Sequence, residues 1–200
     1  MRVILASASP RRKALLEQIG LRDFEIRPSG ADESSVRGLS PADTAKALAV
    51  LKGETAEREI GDRDALILSA DTVVELSGRI LGKPRTAREA EETLALLSGR
   101  SHFVHTGLFV SAFGKRLSHV ESVRVTFRAL SEEEIAAYVA TKEPMDKAGA
   151  YGIQGGAAAF VSRIEGDYSA VVGLPLCRLS ECFRELGLPL FAPDGSGGIK

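Results

Sequence analysis

Asp71 stands between two apolar runs, residues 66–68 and 73–76, so its carboxylate is directed toward a buried position. Burying a charge without a partner costs several kcal/mol. The side chain is therefore either hydrogen-bonded for structure or held in place for chemistry, and the basic Lys83-Pro84-Arg85 that follows favours chemistry. A second constellation lies near the N-terminus, where Ser7-Ala8-Ser9-Pro10 leads into a helix carrying Arg11 and Arg12 in its first turn. Backbone N–H groups at a helix N-terminus bind anions, and arginine forks grip phosphate through paired hydrogen bonds. Cations in that turn also oppose the helix dipole unless an anion lies between them. The pattern predicts a phosphate site. The competing reading is that Ser9 only caps the helix while both arginines pair with acids such as Glu33. No G-x-x-x-x-G-K-[ST] loop occurs, which excludes phosphate recognition of the Walker type.

Lys52 and Lys83 taken singly read as solvated lysines, and Asp32 with Glu33 as an ordinary acidic loop. Carboxylates without a His/Cys cluster, together with scattered Arg and Lys, suit magnesium bound along with substrate phosphates. His102 and His105 are three apart in a strand pattern and point to opposite faces, and His119 is remote, so zinc is not indicated. No G-x-S-x-G elbow and no Ser-His-Asp or Cys-His arrangement stands out. Residues 147–156 are glycine-rich and read equally as a loop over a ligand or a tight bend. Within them, the amide of Gln154 offers both a donor and an acceptor to a base edge.

These residues need elements to hold them. Residues 3–6 read as a buried strand, and Ser9 with Pro10 as the start of a helix running to about Ile19 and stopping at Gly20. Leu15, Leu16 and Ile19 form its packed flank, on which Arg11 and Arg12 lie one turn earlier, with Lys13 and Glu17 paired on the outer side. A short strand is expected over 24–27, then a polar loop over 29–38. A helix begins at Ser40-Pro41 and passes through Ala45, Leu48, Ala49 and Lys52 into a charged connector at 54–64. The apolar run 66–68 ends at Ser69-Ala70-Asp71-Thr72, and a second run turns at Ser77-Gly78. Thr86 with Glu89 and Ser131 with Glu134 are capping boxes that start two more helices. A β pattern over 101–113 and 117–127, alternating in the second run, predicts two strands turning at Gly114-Lys115. Residues 157–164 read as strand and 175–186 as helix. The mixture of strands and helices without strict alternation reads as α/β with a mixed sheet and flanking helices.

The 200 residues suffice for one sizeable core. A composition 44% hydrophobic and 26% charged is that of an ordinary soluble protein, and a net charge of −1 lacks the basic footprint of a nucleic-acid binder. No apolar run reaches membrane-spanning length, and the N-terminus reads as a strand rather than a signal peptide. Cys177 and Cys182, five apart in a helical pattern, face different ways, so neither a disulfide nor a metal pair is expected. A reduced, cytoplasmic protein is expected, ending in a disordered tail over 193–200.

Five separated motifs, Leu5-Ala-Ser-Ala-Ser-Pro-Arg-Arg12, Ala70-Asp-Thr-Val73, Gly82-Lys-Pro-Arg85, Lys147-Ala-Gly-Ala-Tyr-Gly-Ile-Gln-Gly155 and Val172-Gly-Leu-Pro175, together resemble the Maf family of nucleoside triphosphate pyrophosphatases. The resemblance runs from Ile4 to about Glu185. The family often has Gly where Ala8 stands, an equally small residue. The motif ending in Gln154-Gly155 resembles the subfamily acting on dTTP and UTP more than relatives acting on 7-methyl-GTP. The resemblance implies an elongated two-lobed, inosine-triphosphatase-like α/β fold with a central cleft, formed by residues 1–192 as one catalytic domain. It implies Asp71 as general base and Arg11, Thr72 and Gln154 as determinants of substrate choice. Ser9, Arg12, Lys52 and Lys83 would bind substrate, the last three at its phosphates, and Glu33 with Asp71 would hold a divalent cation, magnesium or manganese. A nucleoside triphosphate would be the partner, with no membrane or nucleic acid, and the family often forms homodimers, for which 101–127 would supply an edge. The same reaction on a modified purine, or a non-catalytic nucleotide-binding regulator of cell division, are the alternatives.

Overall fold

The sheet grows from short apolar runs that have few other ways to bury themselves. In the computed structural model, which describes residues 1–62 and 64–191, Val3–Leu5 (β1) is wholly buried. It pairs in parallel with Glu25–Ile26 (β2) on one side and Leu66–Leu76 (β3) on the other. From β3 onward the pairing is antiparallel: with Arg79–Leu81 (β4), with Ser101–Ala112 (β5), then β5 with Lys115–Phe127 (β6) and β6 with Val161–Glu165 (β7). The order is β2-β1-β3-β5-β6-β7, with β4 attached to β3. The expected mixed sheet of an α/β protein is therefore present. The tail expected over 193–200 lies outside the described residues.

Both long hairpins turn on a pair of left-handed residues, Ser77-Gly78 (φ 53° and 81°) and Phe113-Gly114 (φ 54° and 75°). Such turns match the right-handed twist of the strands they join, and glycine takes the second position without steric cost. The turn at 113–114 lets β6 begin two residues earlier than the alternation suggested. β5 is an interior strand, so the edge expected from 101–127 reduces to residues 115–123 of β6, beyond the part that pairs with β7.

The helices Pro10–Gln18 (α1), Pro41–Ile60 (α2), Ala87–Leu97 (α3), Glu132–Ala140 (α4), Tyr168–Val172 (α5) and Leu176–Glu185 (α6) flank the sheet. Leu66, Leu68, Ala70 and Val74 pack in the main core with α1, α3, α4, α5 and α6, whereas Ile67 packs with Ala56 of α2. The box at α4 is complete, with Ser131 accepting from the Glu134 N–H and Glu134 from the Ser131 N–H. At α3 only half forms: Thr86 accepts from the Glu89 N–H, but the Glu89 carboxylate accepts from the Arg85 N–H.

Three expectations fail for identifiable reasons. The connector placed at 54–64 is helical as far as Ile60, because its charged residues are good helix formers and Ala56 and Gly53 continue the buried stripe to a left-handed cap at Gly61 (φ 66°). The break at 69–72 is absent, and β3 is one strand of 11 residues. The polar side chains at this point each find a partner on another element: the Ser69 hydroxyl the Ala49 carbonyl, Asp71 Lys52 and Thr72 Thr106. Residues 156–160 form a 3-10 turn rather than strand, since three alanines have little to pack on a pleated surface and Phe160 turns into an aromatic cluster with Tyr138 and Phe127. Helix α5 has no periodic signal in five residues; Asp167 caps it by accepting from the Ser169 N–H.

Candidate active site

Asp71 meets its counter-charge because α2 lies unusually close to the sheet. Gly107, directly opposite Asp71 across the β3–β5 ladder, touches the α2 backbone: a Cβ there would lie 2.1 Å from the Ala45 carbonyl oxygen. On the helix, a Cβ on Gly53 would lie 2.0 Å from the Phe109 ring of β5. The two glycines let the helix settle, and Lys52, next to Gly53, reaches down. Its ammonium is 2.6 Å from Asp71 Oδ1 and 3.0 Å from Glu33 Oε1. The Lys52 and Asp71 side chains are 15% and 14% exposed, so the pair is shielded from water yet borders a cavity.

Around the start of α1, Ser9 occupies the cap position, but its side chain does not cap; its N–H donates to Ser7 Oγ. Arg12 is engaged by the protein: Nε donates to the Gly173 carbonyl at 2.8 Å, Nη1 to Ser7 Oγ at 2.9 Å and Nη2 to Thr72 Oγ1 at 3.4 Å. This joins α1, β3 and the α5–α6 connection and leaves one N–H on each terminal nitrogen for a ligand. Burial lowers its pKa, while the nearby Asp71 carboxylate works against that shift. Arg11 reaches across to Asp146 at 3.7 Å. Neither arginine ion-pairs with Glu33, which contacts Lys52 instead.

The hydroxyls beside Arg12 have a fixed polarity. Thr106 donates its only hydroxyl proton to the Ala170 carbonyl at 2.8 Å, so in the 3.0 Å Thr72–Thr106 contact Thr72 is the donor. Thr72 can then offer a ligand only an acceptor lone pair.

These groups open on one cleft of about 440 Å³, lined by Ser9, Arg11, Arg12, Lys52, Asp71, Thr72, Lys83 and Gln154. Of the sequence-predicted residues only Glu33 is absent from it. Glu33 lines an adjoining hollow of about 380 Å³ that shares Ser9, Arg11, Arg12, Lys52, Lys83 and Asp146 with the cleft. The shared end is cationic; the far end carries Val74, Val104, Tyr151, Ile153 and Val171. Lys83 and Gln154 are exposed, and neither side chain hydrogen-bonds or ion-pairs with another described residue. The sequence reading missed Glu143, Asp146 and Lys147, which also line the cleft. Their signal was adjacency: Glu143 and Asp146 lead into the glycine-rich motif that Lys147 opens, and Lys147 Nζ donates to both the Glu143 carbonyl and Asp146 Oδ1 at 2.6 Å.

Among the described residues no three His, Cys, Asp or Glu side chains gather around a metal position. What converges is the pair Asp71 and Glu33, both on the Lys52 ammonium. Two hard oxygen donors beside a phosphate-sized cationic hollow fit a magnesium-type ion, which takes its other ligands from phosphate and water. The histidines lie elsewhere. His102 is buried against Tyr151, Nε2 to the hydroxyl at 2.8 Å, and burial lowers its pKa to about 4. His105 contacts Ser122 and Glu75.

A family model described as Maf-like protein matches residues 2–186. A dTTP/UTP pyrophosphatase from Bacillus cereus (strain AH820) is 49% identical over 187 residues, 94% of this chain and 96% of its own. Another from Moorella thermoacetica is 49% identical over 192 residues, 95% and 97% of the two chains. A solved HAM1 protein from Coxiella burnetii aligns over 92% of this chain and 99% of its own, with a TM-score of 0.48 and 19% identity.

Proposed function

The chain belongs to the Maf family, and on that premise we propose that it hydrolyses dTTP and UTP to the nucleoside monophosphate and pyrophosphate, clearing unwanted or modified nucleotides from the cytoplasmic pool. The observation that carries this reading is Asp71: a shielded carboxylate, 2.6 Å from Lys52, bordering a cleft that is cationic at one end and apolar at the other. Residues 1–192 act as one catalytic domain.

The triphosphate lies at the shared end, where Arg11, Arg12, Lys52 and Lys83 match its charge. Asp71 accepts a proton from water as the water oxygen bonds to the α-phosphorus. The bond from the α-phosphorus to the bridging oxygen breaks, and its electron pair leaves with pyrophosphate, whose growing charge the arginines and lysines stabilise. A divalent cation held by Glu33 and Asp71 would neutralise phosphate charge. Gln154 and Thr72 read the pyrimidine: Thr72, which sits beside Arg12 and can only accept, suits the ring N–H of a uracil-type base. Thymine and uracil share two carbonyls and that N–H, which explains why both nucleotides are accepted. Incubation of the protein with UTP and magnesium is expected to yield UMP and pyrophosphate; UDP with orthophosphate overturns the proposal.

Assembly as a homodimer belongs to the same reading, with residues 115–123 of β6 as the available edge. Static light scattering at the mass of one 21.3 kDa chain removes that part.

A further inference from the structure

Gln154 is held in position from outside itself. Its side chain makes no hydrogen bond to another described residue, yet it sits at the apex of an arch, residues 152–156, whose two feet are tied to one pair of side chains. At one foot the Gly152 N–H donates to the Tyr138 hydroxyl at 3.1 Å, and that hydroxyl donates to Glu143 Oε1 at 2.9 Å. At the other foot the Gly156 N–H donates to Glu143 Oε2 at 3.0 Å. Both carboxylate oxygens are thus used to hold the arch. The packing is close: a Cβ on Gly155 would lie 2.1 Å from Glu143 Oε1 and would have to displace that carboxylate. The anchor is firm, because Tyr138 is on α4, with its complete capping box and buried Ile135 and Val139, and Lys147 Nζ ties down the Glu143 carbonyl.

We propose that Glu143, acting with Tyr138, is a positioning residue for base selection: it holds the arch that presents Gln154 and so sets the preference for uracil-type bases. The inference rests on the pyrophosphatase reading above. A glutamine amide that can turn over matches a cytosine edge as well as a uracil edge, since the two differ by exchange of donor and acceptor. Thr72, which can only accept, disfavours the cytosine ring nitrogen at one point; at the edge that Gln154 meets, discrimination falls to the main chain of the arch, which cannot turn over and must stay fixed beside the base. Releasing its feet returns ordering entropy to the free enzyme, and binding must then supply that ordering.

The test compares UTP and CTP in pyrophosphate release, with wild type, Glu143→Ala, Glu143→Gln and Tyr138→Phe, each checked for folding by thermal unfolding. Glu143→Ala is expected to raise KM for UTP about tenfold and to shrink the UTP-over-CTP ratio of kcat/KM by a similar factor, with the loss falling on KM rather than kcat. Glu143→Gln keeps the volume and one acceptor oxygen, enough for one of the two bonds, and recovers part of the loss. A folded Glu143→Ala with wild-type KM and preference overturns the proposal. So does a fall in kcat alone, which would put Glu143 in the chemistry. Should Glu143→Ala not fold, Tyr138→Phe removes the hydroxyl link while keeping the ring, and an unchanged KM there overturns the proposal equally. Failure of wild type to release pyrophosphate from any nucleotide sinks the underlying reading, whereas loss of preference confined to the variants does not touch it.

Discussion

At the scale of single residues, the proposed chemistry turns on Asp71 and on what sits beside it. Asp71→Asn keeps the shape but cannot take the proton, so pyrophosphate release should fall at least ~100-fold, while titration with a fluorescent UTP analogue still finds binding. Unchanged turnover would remove Asp71 from its role. A second residue gives a pH signature unrelated to catalysis. His102 is buried, and its pKa falls from 6.5 to about 4. The unfolded chain takes up that proton as pH drops through 6.5, whereas the folded chain does so only near 4. Stability is therefore full above 6.5 and is lost as pH falls between those values, by up to about 3 kcal/mol. In urea denaturation at pH 4.5 and 7, His102→Gln should show a smaller difference than wild type; an equal difference would discharge His102 from this effect.

At the scale of elements, the fit of α2 against β3 and β5 controls the site. Gly107→Ala places a methyl group against the α2 backbone at Ala45 and must push the helix outward. Overpacking of this kind costs about 1–3 kcal/mol. Because the displaced helix carries Lys52, kcat/KM should drop even where the variant is folded, and both losses are read from denaturation curves and initial rates. A variant destabilised but fully active would show that the Lys52–Asp71 contact tolerates movement of α2. At this scale the sequence was partly legible. Helix starts at Pro10, Pro41 and Glu132 follow from caps and prolines, and the hairpin turns from Gly78 and Gly114, because those signals act within a few residues. The continuity of β3 through Ser69, Asp71 and Thr72 was hidden, since their partners Ala49, Lys52 and Thr106 come from other elements.

For the whole molecule, the cleft joins groups from α1, α2, β3, the β4–α3 connection and the glycine-rich segment into one charge gradient. The two carboxylates at its cationic end predict metal dependence, since a triphosphate that comes to lie beside Asp71 and Glu33 needs its own charge reduced. Removing divalent ions with EDTA should abolish pyrophosphate release and magnesium should restore it; full activity in EDTA would remove Glu33 and Asp71 from metal binding. By itself the sequence determined the α/β class, most helix and strand positions, and the oddity of a carboxylate between apolar runs, because periodicity, caps and desolvation are properties of short stretches of chain. Only the tertiary structure decided that Asp71 is paired with Lys52, that Arg12 is largely occupied by Gly173, Ser7 and Thr72, and that Glu143 holds the Gln154 arch. Those contacts depend on how closely helices settle on a sheet, which Gly53 and Gly107 control through volume rather than through any local pattern.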